Sequence, residues 1–380
     1  MANTNRKRIG FLMNNDDLGV IYYLNNIIQC LTYLSDDKKP VIILFYDKTT
    51  EKHISIFENY PYLEWKETKY PNVLKLYILS IIKRKNYYLN TLSFNHSLNG
   101  IFPVNDILFK NTIPNNKLIS WITDFQHKFY PQFFGFFNKI FREYRFNLII
   151  KNADGIVLSS SDAKSHLQRF YKEVNYKKVK VLNFLSHVNT IKCPESNDII
   201  ERYQITNPYF IVSNQFYRHK NHKVVLKAIK NLLNQGFLNF EIVFTGKKED
   251  YRDMNFYPEI EDFIKENNIE NKVKILGLIP REDQLALLKS AIAIIQPSFF
   301  EGWNTSIEDA KTLKQQVICS NLPVHQEQML DNAFYFDPEN DIELSNILIH
   351  LLSKEFTRLP VFNDFNQRVN YFAENFINLF

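Results

Sequence analysis

From residue 209 to the end of the chain, one alternation limits the fold more than any other feature. Short β-rich apolar runs, "YFIVSN", "FEIVFTG", "VKILGL", "AIAIIQPS", "QVICSN" and "NAFYFDP", follow one another along the chain. Between them, Asn221 to Gln235, Pro258 to Asn267, Glu282 to Ser290, Ser306 to Leu313 and Ile342 to Ser353 repeat apolar residues at spacings of three and four. That spacing places a single stripe on each helix. Strand, helix and strand in this order imply parallel pairing, with helices covering both faces of the sheet.

The first half is of the same kind but less regular. Strands are expected at "RIGFLM", "VIILFY", "LISWIT", "DGIVLSS" and "KVKVLNF", and helices from Val20 to Leu34, Gln132 to Lys151 and Asp162 to Tyr171. A chain of 380 residues can bury two such cores. The polar stretch 186–200, which contains Pro194, reads as a linker, and 362–380 as an amphipathic terminal helix. Domains are therefore expected at 1–187 and 188–361.

Charge narrows the function class. Lys plus Arg number 46 against 41 Asp plus Glu, a net charge of +5 that is too slight for nucleic-acid binding yet compatible with phosphate-bearing ligands. Cys30, Cys193 and Cys319 are scattered and lack the spacing of a disulfide framework or zinc site, which fits a reducing, cytoplasmic setting. The paired aspartates at 16–17 and 36–37 lack metal-ligand spacing, so no metal is expected to be required. No apolar run approaches a membrane span.

With only nine glycines in the chain, "PSFFEGWNTSIEDA" (297–310) stands out, because it leads from a strand into a helix. Loops at the carboxyl ends of parallel strands are where ligands bind. Thr305 and Glu308 have the spacing of a capping box, which accounts for those two residues alone. Gly302 permits close backbone approach, and a helix start offers free N–H groups to phosphate. Glu301 and Asp309 would repel a phosphate, so their place there points to hydroxyl groups beside it. A sugar nucleotide has both.

"PSFFEGWNTSIEDAKTLKQQVICSNLPVHQE" resembles the donor-site signature of retaining nucleotide-sugar glycosyltransferases of family 4 (group 1), which have the GT-B fold. The resemblance implies two Rossmann-like, doubly wound parallel-sheet domains facing across a cleft, with the C-terminal helix 362–380 returning to the first domain. It assigns donor binding to Glu301, Gly302, Trp303, Asn304, Thr305, Ser306 and Glu308. Asp309 stands where the family has a second Glu, so the ribose falls to Asp309 or Glu308. "YFIVSNQFYRHKNHK" (209–223) resembles the family's phosphate loop. Lys220 matches its Lys, Gln215 occupies the Arg position, and Arg218 is expected to supply that charge. Gly246 with Lys247, and Leu278 with its neighbours, fall in segments near the nucleotide and its base, and Gly19 falls in the glycine loop facing donor phosphate and acceptor. In "SWITDFQHKFYPQFF", His127 corresponds to the residue contacting the donor sugar, with Asp124 and Gln126 on the acceptor side.

The activity so implied is hexosyl transfer, with retention, from a UDP-, GDP- or dTDP-sugar to a glycan or lipid-linked acceptor in bacterial surface polysaccharide synthesis, with no required cofactor. Lys220 and Arg218 would hold the diphosphate, which takes the acceptor proton, while Glu301 positions the sugar. An inactive sugar-nucleotide or glycan-binding module and a GT-B epimerase are the alternatives. The stretch "FYPQFFGFFNKIFREYRF" (129–146) has the composition of a membrane-surface helix, which would place the protein on the inner face of the plasma membrane. A helix packed within the first domain is the favoured reading of that stretch.

Overall fold

The computed structural model describes residues 6–13, 17–57, 60–69, 71–188, 191–250, 252–353, 358–362 and 364–380. Asp16, named above, lies outside them. The chain divides into two compact units, Met1–Leu185 with Asp364–Phe380, and Ser186–Asn363.

Among the described residues, the first unit holds a seven-stranded parallel sheet in the order β3-β2-β1-β4-β5-β6-β7. The strands are β1 (Arg8–Leu12), β2 (Val41–Tyr46), β3 (Leu63–Glu67), β4 (Gly100–Phe102), β5 (Lys117–Ile122), β6 (Gly155–Leu158) and β7 (Val179–Val181). Its helices are α1 (Leu18–Leu31), α2 (Val73–Lys83), α3 (Tyr87–Asn95), α4 (Gln126–Phe129), α5 (Phe136–Asn152) and α6 (Ser161–Phe170). Ser160 caps α6 by accepting from the Ala163 N–H. One core lies between the sheet and α3, α5 and α6, where Ile43, Leu92, Ile149, Ile156 and Leu167 meet.

The second unit holds a six-stranded parallel sheet in the order β10-β9-β8-β11-β12-β13. Its strands are β8 (Tyr209–Ser213), β9 (Glu241–Thr245), β10 (Val273–Gly277), β11 (Ile294–Gln296), β12 (Val317–Ser320) and β13 (Phe334–Phe336). Its helices are α7 (Ser196–Arg202), α8 (His222–Asn234), α9 (Phe256–Glu266), α10 (Arg281–Ser290), α11 (Thr305–Leu313), α12 (Pro323–Met329) and α13 (Asp341–Leu352). Successive residues of a strand point to opposite faces. Phe210 and Val212 accordingly join a core with α8, α9 and α13, while Tyr209 and Ile211 join another with α7, α10 and α11. The stretch read as a linker thus ends in α7, whose Ile199 is buried in that second core.

The last helix, α14 (Phe365–Ile377), belongs to the first unit. Phe376 meets Phe11 of β1 and Phe102 of β4 edge-on, at 5.8 and 5.3 Å between ring centroids. Lys7 donates to the Phe380 carbonyl at 2.7 Å. Gly100 is required here, since a Cβ on it would collide with the Phe380 ring and the Lys117 carbonyl.

Candidate functional site

In each sheet the strand order reverses direction at a central pair, β1–β4 in the first unit and β8–β11 in the second. Loops leaving such a pair at the carboxyl ends form the crevice of a doubly wound sheet. In the second unit these loops are 214–221, after β8, and 297–304, after β11.

The two loops are joined by an ion pair. Lys220 Nζ donates to Glu301 Oε1 at 2.6 Å, with the side chains 17% and 8% exposed. The same oxygen accepts from Ser298 Oγ at 2.6 Å and from Asn304 Nδ2 at 3.1 Å. Beneath them, Gln296 is fully buried, and its Oε1 accepts from Asn214 Nδ2 at 2.9 Å and Asn304 Nδ2 at 3.1 Å. Gln296 Nε2 has no partner among the described residues. A carboxylate and an ammonium so little exposed hold each other in place; removing one leaves the other with an uncompensated charge.

The cap of α11 differs from the sequence expectation. Asn304, not Thr305, is the N-cap, accepting from the Ile307 N–H at 3.0 Å, and Thr305 is exposed. Glu308 is buried instead, accepting from Gln328 Nε2 at 2.9 Å with Lys311 at 3.6 Å. The capping-box spacing misled because Asn is an equally good cap and stands one residue earlier. Asp309 is also fully buried, and its Oδ1 accepts from Ser186 Oγ and from Arg281 Nη2, each at 2.5 Å. Arg281 opens α10 and donates further to Gln284, which in turn bonds Ser213 at the end of β8. Ser306 Oγ reaches the Ser213 carbonyl at 2.9 Å. Gly302 and Trp303 are half-buried in the loop between these groups.

Arg218 is placed elsewhere. Its guanidinium donates to Asp253 at 2.5 Å and to both oxygens of Glu259 at 2.7 and 3.1 Å, so the charge expected to complement Lys220 is already neutralised. Hydrogen bonds from Arg218 and Lys223 hold the Glu259 carboxyl down at about 2. Gln215, Lys247 and Leu278 are exposed. Gly246 adopts φ +134°, and a Cβ there would collide with the Asn214 backbone, so the loops after β8 and β9 touch through glycine. His222, at the start of α8, is fully buried and stacked on Phe216 at 4.4 Å; burial pushes it down to about 3.

In the first unit, Gly19 lies in the first turn of α1, its N–H donating to the capping Asp17 at 2.9 Å. Asp124, Gln126 and His127 cluster after β5, as expected; Asp124 and His127 each have a partner on α5, while His127 Nδ1 has none among the described residues. Asp124 accepts from Arg142 of α5 at 3.0 Å and from the Gln126 N–H at 2.8 Å. His127 is 4% exposed and meets Glu143 of α5 at 2.6 Å. Burial and the nearby Arg142 charge hold this histidine below its usual range. Its Nε2 is thus engaged with α5, and its Nδ1 is unpartnered among the described residues. Arg281, Ser186, Ser298 and Gln296 were not anticipated; the only signal was Arg281 following Pro280, a proline-then-helix start that reads as punctuation.

Residues 195–374 match the family model for glycosyl transferases group 1. Protein CapJ of Staphylococcus aureus is 27% identical over 169 residues, covering 43% of this chain and 40% of that protein. The O-antigen chain mannosyltransferase RfbU of Salmonella typhimurium is 22% identical over 233 residues, covering 61% of this chain and 60% of that protein. The chain thus spans between two fifths and three fifths of the length of these relatives. Sucrose-phosphate synthase from Thermosynechococcus elongatus has the same fold, with a TM-score of 0.71 at 15% identity over 98% of this chain and 97% of that one. The two Rossmann-like, parallel-sheet units match GT-B glycosyltransferase structures in fold.

Proposed function

We propose that this chain, whose residues 195–374 match the group 1 glycosyltransferases, moves a hexosyl group with retention from a nucleotide sugar to a glycan or lipid-linked acceptor in bacterial surface polysaccharide synthesis. The observation that carries this reading is the Lys220–Glu301 pair, contributed by the two loops that leave the central strand pair. An arriving diphosphate competes with Glu301 for the ammonium. Lys220 then holds the phosphate oxygens, and the released carboxylate accepts from hydroxyls of the transferred sugar. Donor binding and sugar positioning become one exchange of partners, and neither group waits in the site as an isolated charge.

Arg281 supplies the second cation in place of Arg218. Its side chain is 22% exposed and anchored on buried Asp309, so Asp309 acts on the ribose and diphosphate through Arg281, while Glu308 is committed to Gln328. Cations fixed in advance stabilise charge that grows on the leaving diphosphate with little reorganisation. The diphosphate takes the acceptor proton on the face it leaves, which gives retention. The mannosyltransferase name carried by the RfbU relative supports a hexose as the transferred group.

The neutralised state of Arg218 favours one other reading, a module that binds a sugar nucleotide without transferring it. Thermal-shift and isotopic-hydrolysis assays against UDP-, GDP-, dTDP- and ADP-sugars, with Glu301→Ala in parallel, separate the two. Stabilisation plus slow hydrolysis by one donor, both weakened in the variant, supports the transferase. Stabilisation without hydrolysis or transfer supports the binding module, and no response to any donor removes both.

A further inference from the structure

β11 lies at the centre of its sheet, and all three of its residues are buried. Alternation puts Gln296 on the same face as Ile294, and its register partner on β12 is Cys319. Both neighbours belong to the core shared with α10 and α11. An apolar side chain is what such a position calls for, yet the residue there is a fully buried glutamine.

Its orientation is set by the helix cap. The Ile307 N–H takes the side-chain oxygen of Asn304, so Asn304 turns Nδ2 toward Gln296, and Gln296 must answer with its oxygen. Asn214 donates to that same oxygen from the loop after β8. Both bonds fall on Oε1, which leaves Nε2 as a buried donor without an acceptor among the described residues. A donor in that state lowers stability, and methionine would fill a similar volume with no polar end to satisfy. Stability therefore does not account for an amide here.

What the amide holds is Asn304, which is 3% exposed. The Asn304 N–H donates to Gln328 Oε1 at 3.3 Å, and its carbonyl accepts from Gln328 Nε2 at 2.8 Å and from the Glu308 N–H at 3.2 Å. Its Nδ2 donates to Gln296 Oε1 and Glu301 Oε1, 3.1 Å from each. Gln296 is thereby linked to Glu301 through one side chain. The three hydrogen bonds to that carboxylate, from Lys220, Ser298 and Asn304, all fall on Oε1, and Oε2 accepts none among the described residues. When Lys220 turns to a diphosphate, Ser298 and Asn304 remain to keep the carboxylate in place with Oε2 unengaged.

We propose that Gln296 is a positioning residue for the transferred sugar: by fixing Asn304 it holds Glu301 so that Oε2 is presented to a sugar hydroxyl. This rests on the donor-site reading above, in which Lys220 takes the diphosphate and Glu301 the sugar. The two halves of the donor should therefore respond differently to Gln296→Met.

Binding of UDP, GDP, dTDP and ADP is measured by calorimetry, and hydrolysis of the corresponding sugar nucleotides by isotope release, for the unaltered chain, Gln296→Met, Glu301→Ala and the double variant. Gln296→Met is expected to leave nucleoside diphosphate affinity within about twofold and to lower kcat for hydrolysis about ten- to a hundredfold. In the Glu301→Ala background it should cost no more than about a further twofold, because both changes remove one function. Asn304→Ser keeps a capping oxygen for α11. It should show the same split, and it serves where circular dichroism finds Gln296→Met unfolded. Equal loss of diphosphate binding and hydrolysis, or additive losses in the double variant, would make Gln296 a structural residue and overturn the proposal while the transferase reading stands. Hydrolysis undisturbed in Gln296→Met would do the same. If the unaltered chain cleaves none of the donors, the donor-site reading fails first and this inference falls with it.

Discussion

The sheets of the two units are threaded alike, outward from β1–β4 and from β8–β11, yet the loops at their carboxyl ends differ in how their polar groups are used. After β8 and β11 an ammonium and a carboxylate from separate loops are paired with each other; in the proposed reading a phosphate takes the carboxylate's place on the ammonium. After β5 the aspartate and histidine are bound to α5, the helix that covers their own sheet. Topology brings polar groups to the same end of both sheets, but their partners differ: in the second unit they lie on the facing loop, in the first on the covering helix.

The largest expected effect tests the first half of that contrast. Lys220→Ala should lower donor hydrolysis and transfer by about a hundred to a thousandfold while the protein remains folded by circular dichroism. Adding Glu301→Gln should restore any stability lost with the pair, measured by urea unfolding, without restoring transfer. If the double variant recovers activity, the pair is structural and the contrast fails. Next, Arg281→Met leaves Asp309 buried without its cation and should cost about 3 kcal/mol in urea unfolding, with weaker donor binding in the same protein.

Acid supplies a third test. His222 has its folded pKa near 3, below the value near 6.5 expected of an unfolded histidine. The unfolded chain therefore takes up the proton first, and stability falls as pH drops below about 6.5, by up to about 1.4 kcal/mol per pH unit for this one group. His222→Phe should flatten that slope. In the first unit, His127→Gln is expected to cost about 1 kcal/mol and leave the donor KM unaltered. A hundredfold fall in kcat with stability intact would show the β5 loop to be chemical after all. The smallest effect belongs to Glu259, whose folded pKa near 2 lies below its unfolded value. Its contribution is present above about pH 4.3 and is lost as pH falls towards 2. Glu259→Gln, a change at a half-exposed pair, should alter the urea midpoint at neutral pH by less than about 1 kcal/mol.

The strands of the second unit were legible because they are apolar on both faces and punctuated by helical spacing. β3 and β4 were missed for opposite reasons. "LEWKE" alternates charges and runs at the sheet edge, and "GIF" is too short to show a period. α2 was missed as well. Glu301 was singled out by its place in a strand-to-helix loop and Lys220 by the resemblance of its segment to a family phosphate loop, but their contact depends on β8 lying beside β11, which no local pattern encodes. In "FFNKIFREYRF" the exposed Phe136, Phe137, Ile140, Phe141 and Tyr144 repeat at the same helical spacing that a core stripe would show, so the sequence alone does not say which of its apolar residues the unit buries.

The place of α14 has a consequence in time. The first unit is completed by Asp364–Phe380, which are synthesised only after the whole second unit. At about 5–20 residues per second, β1 and β4 wait on the ribosome for tens of seconds, with Phe11 and Phe102 lacking the ring that finally covers them. The second unit is free to fold in that interval. The first half of the chain, made earliest, is therefore the last to close, and during that delay it is the segment most in need of a chaperone.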